Sequence, residues 1–264
     1  MLTVLLLVAV LATLAAVVLD DIRFGLRRAA NAEAVGQARW YALGAETLAA
    51  GQIGRLTGGA DRLTLDGGWA DRPFSFPVEN GLIQGRLTDG GSCFNLNSVV
   101  QGVGEVLSRR EAGVAQFIAL MSALGVAPRE AEMLAAALPD WIDSDGVRES
   151  GGAEDEAYLA GSPAYRTGGT LLAEVSELRA VRGFTPAIYA RLRPLVCALP
   201  TSDLSPINVN TLAPEKAVLI TMVTEGEVSP ELAQRVIAAR PVGGWSVTDF
   251  WTQPALAEHI PGDP

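Results

Sequence analysis

Seven carboxylates crowd one short stretch of this 264-residue chain: Asp140, Asp143, Asp145, Glu149, Glu154, Asp155 and Glu156 within residues 139–160, against a single base, Arg148. Their net −6 is more than half of the formal −10 carried by the whole molecule. Carboxylates packed this closely repel, so a folded loop of this composition needs either a compensating cation or wide exposure to solvent. All-oxygen donors with Gly nearby suit a hard cation, Ca²⁺ rather than Zn²⁺. The spacing follows an EF-hand only in part, with Asp143, Asp145 and Glu154 at its first, third and last ligand positions. Arg148 stands where the EF-hand turn needs Gly. Spacing alone therefore leaves a calcium loop and a solvated acidic loop both open. Asp143 and Glu154 have the residue types of a general acid and base, but no nucleophile, phosphate loop or cofactor fingerprint accompanies them.

The remaining composition removes most other chemistry. One His, His259, and two Cys, Cys93 and Cys197, exclude multi-Cys zinc sites and most His-dependent hydrolase designs. His259, among Pro and Gly near the C-terminal end, reads as a surface residue. Thirty acids against twenty bases disfavour a sequence-independent grip on nucleic acid. The cationic set is nineteen Arg and one Lys, Lys216. Apolar residues at 49% and charged residues at 19% exclude wholesale disorder.

An acidic loop needs elements to hold it. Helical sequence from about Ser98 to Leu138 leads in, strongest at Gln116–Leu124 and Glu130–Leu138, with Gly125 and Pro128 between them. Beyond the loop, 139–157, come helices around 171–181 and 186–192, then a strand, Leu195–Leu199. The tail holds two helical pieces, 213–223 and 229–240, and an end where Trp245, Phe250 and Trp251 pack a small core. Upstream, residues 55–92 are rich in Gly, Asp and Arg. Short alternations at Leu63–Leu65, Phe74–Phe76 and Leu82–Leu87 read there as hairpin strands.

The N-terminal fifty residues are of another kind. Met1–Leu19 carries no charge and spans about 28 Å as a helix, close to a bilayer hydrocarbon core. A cleaved secretory signal would need a basic start, a shorter apolar run and a small-residue cleavage site. Here the chain instead passes through Asp20-Asp21 into Ile22, Leu26, Ala30, Ala34, Ala38, Ala42, Ala45 and Ala49, near a 3.6-residue period, until Gly51 and Gly54. The result is one rod on the order of 75 Å long, half apolar and half amphipathic. Arg23, Arg27 and Arg28 follow the apolar segment, which by the positive-inside rule alone puts the C-terminal bulk in the cytoplasm.

One internal echo links the two ends of the remaining chain. Phe94-Asn95-Leu96-Asn97-Ser98 and Ile207-Asn208-Val209-Asn210-Thr211 share the order apolar, Asn, apolar, Asn, hydroxyl. Each reads as a short strand ending in a helix cap, and together they bracket a helical insertion between two β-rich pieces.

These features together resemble the K-type minor pseudopilin of type II secretion systems. The residues that carry the resemblance are the long apolar helix, Trp40–Glu46, Phe94–Asn97, Asp140–Asp145, Gly152–Asp155, Val175–Arg179 and Pro206–Thr211, in order from Met1 to about Phe250. The resemblance implies an α+β fold. A pilin-like N-terminal helix packs on a small antiparallel sheet, and a large helical, SAM-like domain is inserted between strands. The divisions expected are a membrane half (1–19) and an amphipathic half (20–54) of the helix, and a β region (55–97). The inserted domain (98–194) follows, then a β return (195–211) opening a C-terminal helical region to 264.

The resemblance further implies a non-enzymatic subunit at the tip of the pseudopilus, assembled with the I- and J-type minor pseudopilins along about Ile22–Leu48. It implies a single pass through the bacterial inner membrane with the bulk in the periplasm, against the charge count above. A basic leader removed by a prepilin peptidase is also expected. No Arg/Lys-Gly leader stands before Met1, so the processing site is not placed. Nor does the run hold the Glu that most pilin-like subunits carry near its start, as suits a tip subunit. The family's structural calcium favours the metal reading of the loop, with Asp143, Asp145, Glu154 and Asp155 as ligands and Asp140 and Glu149 as a second tier. In a periplasmic domain Cys93 and Cys197 would form a disulfide; two buried thiols in a cytoplasmic protein are the alternative.

Two other functions remain for comparison. A type IV minor pilin would share the anchor and the rod but not the inserted acidic loop. A membrane-anchored helix–hairpin–helix DNA-binding protein fits Asn208–Thr211 and the helices after it. Its hairpin, however, reads Thr224-Glu225-Gly226-Glu227, and residues 207–264 carry seven acids against three bases, so phosphate would meet two Glu at the turn.

Overall fold

The computed structural model describes residues 1–257 apart from Ala60, Asp61, Gly67, Asp71 and Asn80; His259 lies outside the described residues. The chain divides into two compact units, Met1–Ala60 with Asp71–Leu87, and Asp61–Ala70 with Thr88–Pro264.

In the first unit one helix, α1 (Leu2–Thr57), runs unbroken for 56 residues, roughly 84 Å at helical rise. Its N-terminal stretch is apolar enough to cross a membrane, with a mean hydropathy of 3.0 over 18 residues, and is wholly exposed within the chain. Further along, Tyr41, Ala45 and Ala49, each four residues apart, are the first positions to be partly covered. They form one face of the helix. A hairpin of β1 (Phe74–Val78) and β2 (Gly81–Gly85), antiparallel with Phe76 opposite Ile83, completes the unit, and the Tyr41 hydroxyl donates to the Glu79 carbonyl beside its turn. This is the long helix on a small antiparallel sheet that the resemblance implies. The helix runs a few residues past Gly54, and Leu63–Leu65 is loop rather than strand.

The second unit holds the hydrophobic core. Helices α2 (Glu111–Ala123) and α3 (Pro128–Ile142) meet around Phe117, Leu120, Leu134 and Leu138, all but fully buried. Phe94 stacks on Phe117 at 5.2 Å and Phe117 on Phe184 at 6.3 Å. Short helices α4 (Asp155–Leu159), α5 (Pro186–Leu192), α6 (Val218–Val223), α7 (Pro230–Ala238) and α8 (Val247–Trp251) fill the rest. Three of them start at a side-chain cap: Thr185, Ser229 and Ser246 each accept a hydrogen bond from a backbone N–H in the first turn. Trp245 and Phe250 are buried edge to face at 5.6 Å, closing the expected terminal core.

Two expectations fail here. Residues 100–109 are not helical. After one 3₁₀ turn (Leu96–Val99) the chain forms an antiparallel hairpin, β4 (Val100–Val103) and β5 (Val106–Arg109). Gly102 at φ +152° and Gly104 at φ +64° take backbone conformations that L side chains avoid, and these override the apolar run around them. Nor is Ile207–Thr211 a strand: it is a turn, with Thr211 N–H donating to Asn208 O. The strand that pairs in parallel with β3 (Phe94–Asn95) is β6 (Val196–Cys197), shorter than the stretch expected. That pairing sets the Cα atoms of Cys93 and Cys197 5.7 Å apart, joined by a disulfide across 104 residues.

The echo is nonetheless a shared geometry. Asn97 N–H donates to Asn95 Oδ1, and Asn210 N–H donates to Asn208 Oδ1. The second Asn of each pair then meets a distant backbone as another strand would. Asn97 exchanges two bonds with Leu172, and Asn210 exchanges two with Trp245. Both side chains are buried, and each supplies the partners those loops would otherwise lack.

Candidate metal centre

The acidic loop starts where α3 ends. Asp143 is the C-cap of that helix, its N–H donating to Pro139 O at 2.8 Å, so its carboxylate stands beside the negative end of the helix dipole. One turn back, Asp140 is 1% exposed and accepts from the Glu149 N–H, which draws the loop onto the helix end. Gly152 makes that approach possible: a Cβ there would lie 2.1 Å from Asp140 Oδ2. The returning chain then reaches Glu154, the residue that caps α4.

These elements bring Asp143, Asp145 and Glu154 together, one oxygen of each within 4.8 Å of the others. A cation with oxygens at 2.3–2.6 Å accommodates ligands about 5 Å apart across it. Two oxygens of these residues lack what buried oxygens require. Asp143 Oδ1 and Glu154 Oε1 are buried without a hydrogen-bond partner, and Asp143 as a residue is only 6% exposed. Native interiors rarely leave such atoms unpaired unless an ion or water completes them. The electrostatics agree. Burial first, then the charges of Asp145 and Glu154, push the Asp143 carboxyl up to about 7. Burial and then Asp140 and Asp145 push Glu154 up to about 7. Asp140 is also raised, by burial, against the hydrogen bonds it accepts from Glu149 and Ala153. A divalent cation reverses this cost by making the charged form the favoured one. The residues present therefore fit a hard divalent ion, whose remaining ligands would be carbonyls or water.

The other expected ligands stand apart from this group. Asp155 is engaged elsewhere: its Oδ1 accepts from Thr167 N–H and Oγ1, both at 2.9 Å, and its Oδ2 from Arg166 at 2.9 Å. Those bonds hold its carboxyl below the usual range and fasten residues 166–167 to the start of α4. The resemblance sets Asp155 beside Glu154 in the ligand set; the helix start turns the two side chains apart. Glu149 faces Arg109 at 3.9 Å, and Asp140 supports the loop through its backbone bonds. Sequence alone assigns no role to Ser144, which lies between two of the carboxylates, or to the aromatic wall of Trp141, Tyr158 and Tyr165, whose ring centroids lie 5.1–6.1 Å apart. The spacing Trp141-Ile142-Asp143 was the available signal, since a helix end that buries Trp141 also draws Asp143 inward.

Known proteins match along nearly the whole chain. Two family models described as type II secretion system (T2SS), protein K cover residues 92–201 and 207–263. The type II secretion system protein K of Klebsiella pneumoniae is 42% identical over 83% of this chain and 68% of its own length. That of Pectobacterium carotovorum is 37% identical over 97% and 79%. Among solved structures, a chain in the crystal structure of the GspK-GspI-GspJ complex from the enterotoxigenic Escherichia coli type 2 secretion system superposes with a TM-score of 0.77. It is 35% identical, across 88% of this chain and 80% of that one. The long helix on its hairpin, the helical second unit and these matches lead to one conclusion: the chain belongs to the type II secretion system protein K family.

Proposed function

We propose that this chain is the minor pseudopilin that starts and caps the type II secretion pseudopilus, in a complex with the I- and J-type minor pseudopilins. The likeness to a chain of the GspK-GspI-GspJ complex carries the reading. The exposed rod of α1 supports it, because Trp40, Leu43 and Leu48 are 46–74% exposed along a helix otherwise built to pack. In this reading the apolar stretch anchors the chain in the inner membrane until assembly, after a prepilin peptidase has processed it. The second unit stands in the periplasm, where its disulfide belongs. Its bulk blocks another subunit from joining above. The part played is structural, with no catalytic step and no nucleic-acid partner. The cation of the acidic loop is Ca²⁺ and serves to hold residues 143–154 in place.

Co-expression with the I- and J-type pseudopilins of the same bacterium, followed by size-exclusion chromatography, tests this. A ternary complex is expected, weakened by Leu43→Asp. A wild-type chain that elutes alone beside a formed I–J pair contradicts it and favours a type IV minor pilin.

A further inference from the structure

The carboxylate loop is fastened to the β4–β5 hairpin chiefly at Ser144. Ser144 lies in the chain between Asp143 and Asp145. Its N–H donates to Leu107 O at 3.1 Å, its hydroxyl donates to the same carbonyl at 3.1 Å, and the hydroxyl oxygen accepts from Leu107 N–H at 3.1 Å. One side chain and one amide thus satisfy both main-chain groups on the outer edge of β5. Two residues on, Arg109 reaches Glu149 of the same loop. Gly104, Glu105 and Leu107 line a cleft together with Asp143, Asp145 and Glu154. At the hairpin tip Val103 and Val106 are 89% and 73% exposed, while Leu107 is buried.

We propose that the cation held by Asp143, Asp145 and Glu154 sets the β4–β5 hairpin through Ser144, so that ion binding and hairpin order are coupled in both directions. This rests on the cation reading above. Without the ion, three like charges gathered at a helix C-terminus repel one another. Ser144 moves with its two neighbours, and its hydrogen bonds to Leu107 are lost. With the ion, Ser144 is fixed between two ligands, and the valine tip is presented in one position. Linkage demands the reverse effect as well: whatever loosens the hairpin weakens the ion.

Gly102 gives access to the hairpin without touching a carboxylate. Its φ is +152°, and a Cβ there would lie 1.9 Å from Val106 O, so Gly102→Ala pries the strands apart. The full-length chain in detergent is titrated with Ca²⁺ by calorimetry, and amide hydrogen exchange is followed with and without the ion. In the wild type, Ca²⁺ slows exchange across residues 100–109 on the order of tenfold more than across α2. Gly102→Ala binds Ca²⁺ at least about fivefold more weakly. Ser144→Ala keeps the stoichiometry and the amide bond to Leu107 but loses both hydroxyl bonds, so it passes clearly less protection to the hairpin than the wild type, and it carries the test alone if Gly102→Ala does not fold. Equal affinity in wild type and Gly102→Ala, or protection of 143–157 with none of 100–109, overturns the coupling while leaving the ion site standing. A wild type that binds no Ca²⁺ overturns both.

Discussion

Asn97 and Leu172 lie 75 residues apart in the chain and exchange two hydrogen bonds: the side-chain amide donates to Leu172 O at 2.9 Å, and its oxygen accepts from Leu172 N at 2.8 Å. The amide also donates to Leu199 O, so one buried side chain ties the loop before the 3₁₀ turn at Val175–Arg179 to the segment after β6. Asn97→Leu keeps the volume and removes every partner. Three backbone groups, two of them buried, then lose their partner, and the loss expected is about 3 kcal/mol. Urea unfolding of the detergent-purified chain measures it. Asn210→Leu, which severs the equivalent pair with Trp245, is expected to cost about 2 kcal/mol on the same basis.

The disulfide makes a second prediction. Cys93 and Cys197 close a loop of 104 residues, for which chain-entropy arguments allow up to about 4.7 kcal/mol. The double variant Cys93→Ser, Cys197→Ser should lower the denaturation midpoint, and a reducing agent should lower the wild type to meet it. A wild type indifferent to the reductant would show that the bond is not formed in the purified protein.

The loop predicts an unusual dependence on pH. Asp143 and Glu154 both titrate near 7 when folded, against ordinary values of 3.8 and 4.5. Between those limits the folded chain holds more protons than the unfolded one, so stability falls as pH rises. In chelator-treated protein the melting temperature should drop from pH 5 to pH 8. Ca²⁺ should abolish most of the drop, and its own binding should strengthen over the same range as it displaces those protons. A flat apo profile would mean that the two carboxylates are not buried together.

Asp155 separates the loop as read from sequence from the loop as folded. Asp155→Asn should leave Ca²⁺ affinity within about twofold, because its oxygens are engaged with Thr167 and Arg166. Exchange around residues 165–168 should rise instead, as that charge-assisted contact weakens. A variant that loses Ca²⁺ altogether would return Asp155 to the ligand set.

What was legible in the sequence follows from what has a local cause. The rod of α1 is written in an absence of Pro and a run of uncharged residues, and two of the short helices, α5 and α7, in a Thr or Ser cap and the Pro after it. The cluster of Asp143, Asp145 and Glu154 was visible as charge density. Its separation from Asp155 was not, because that depends on which way a helix start turns two adjacent side chains. The β4–β5 hairpin was missed for a similar reason. Val100–Val106 is apolar enough for a helix, and only the positive φ of Gly102 and Gly104, a property of backbone rather than of side chains, decides for strands. The Asn echo was seen as pattern, but its meaning lies in partners 75 and 35 residues away. No local reading finds such partners.

The most direct test of the metal centre is a calorimetric titration of Ca²⁺ into the chelator-treated chain, repeated with Asp143→Asn and Glu154→Gln. Wild-type binding with a raised melting temperature, lost in both variants, is the expected result. A wild type that takes up no Ca²⁺, or variants that bind it as the wild type does, would contradict the site and leave residues 139–160 as a solvated acidic loop.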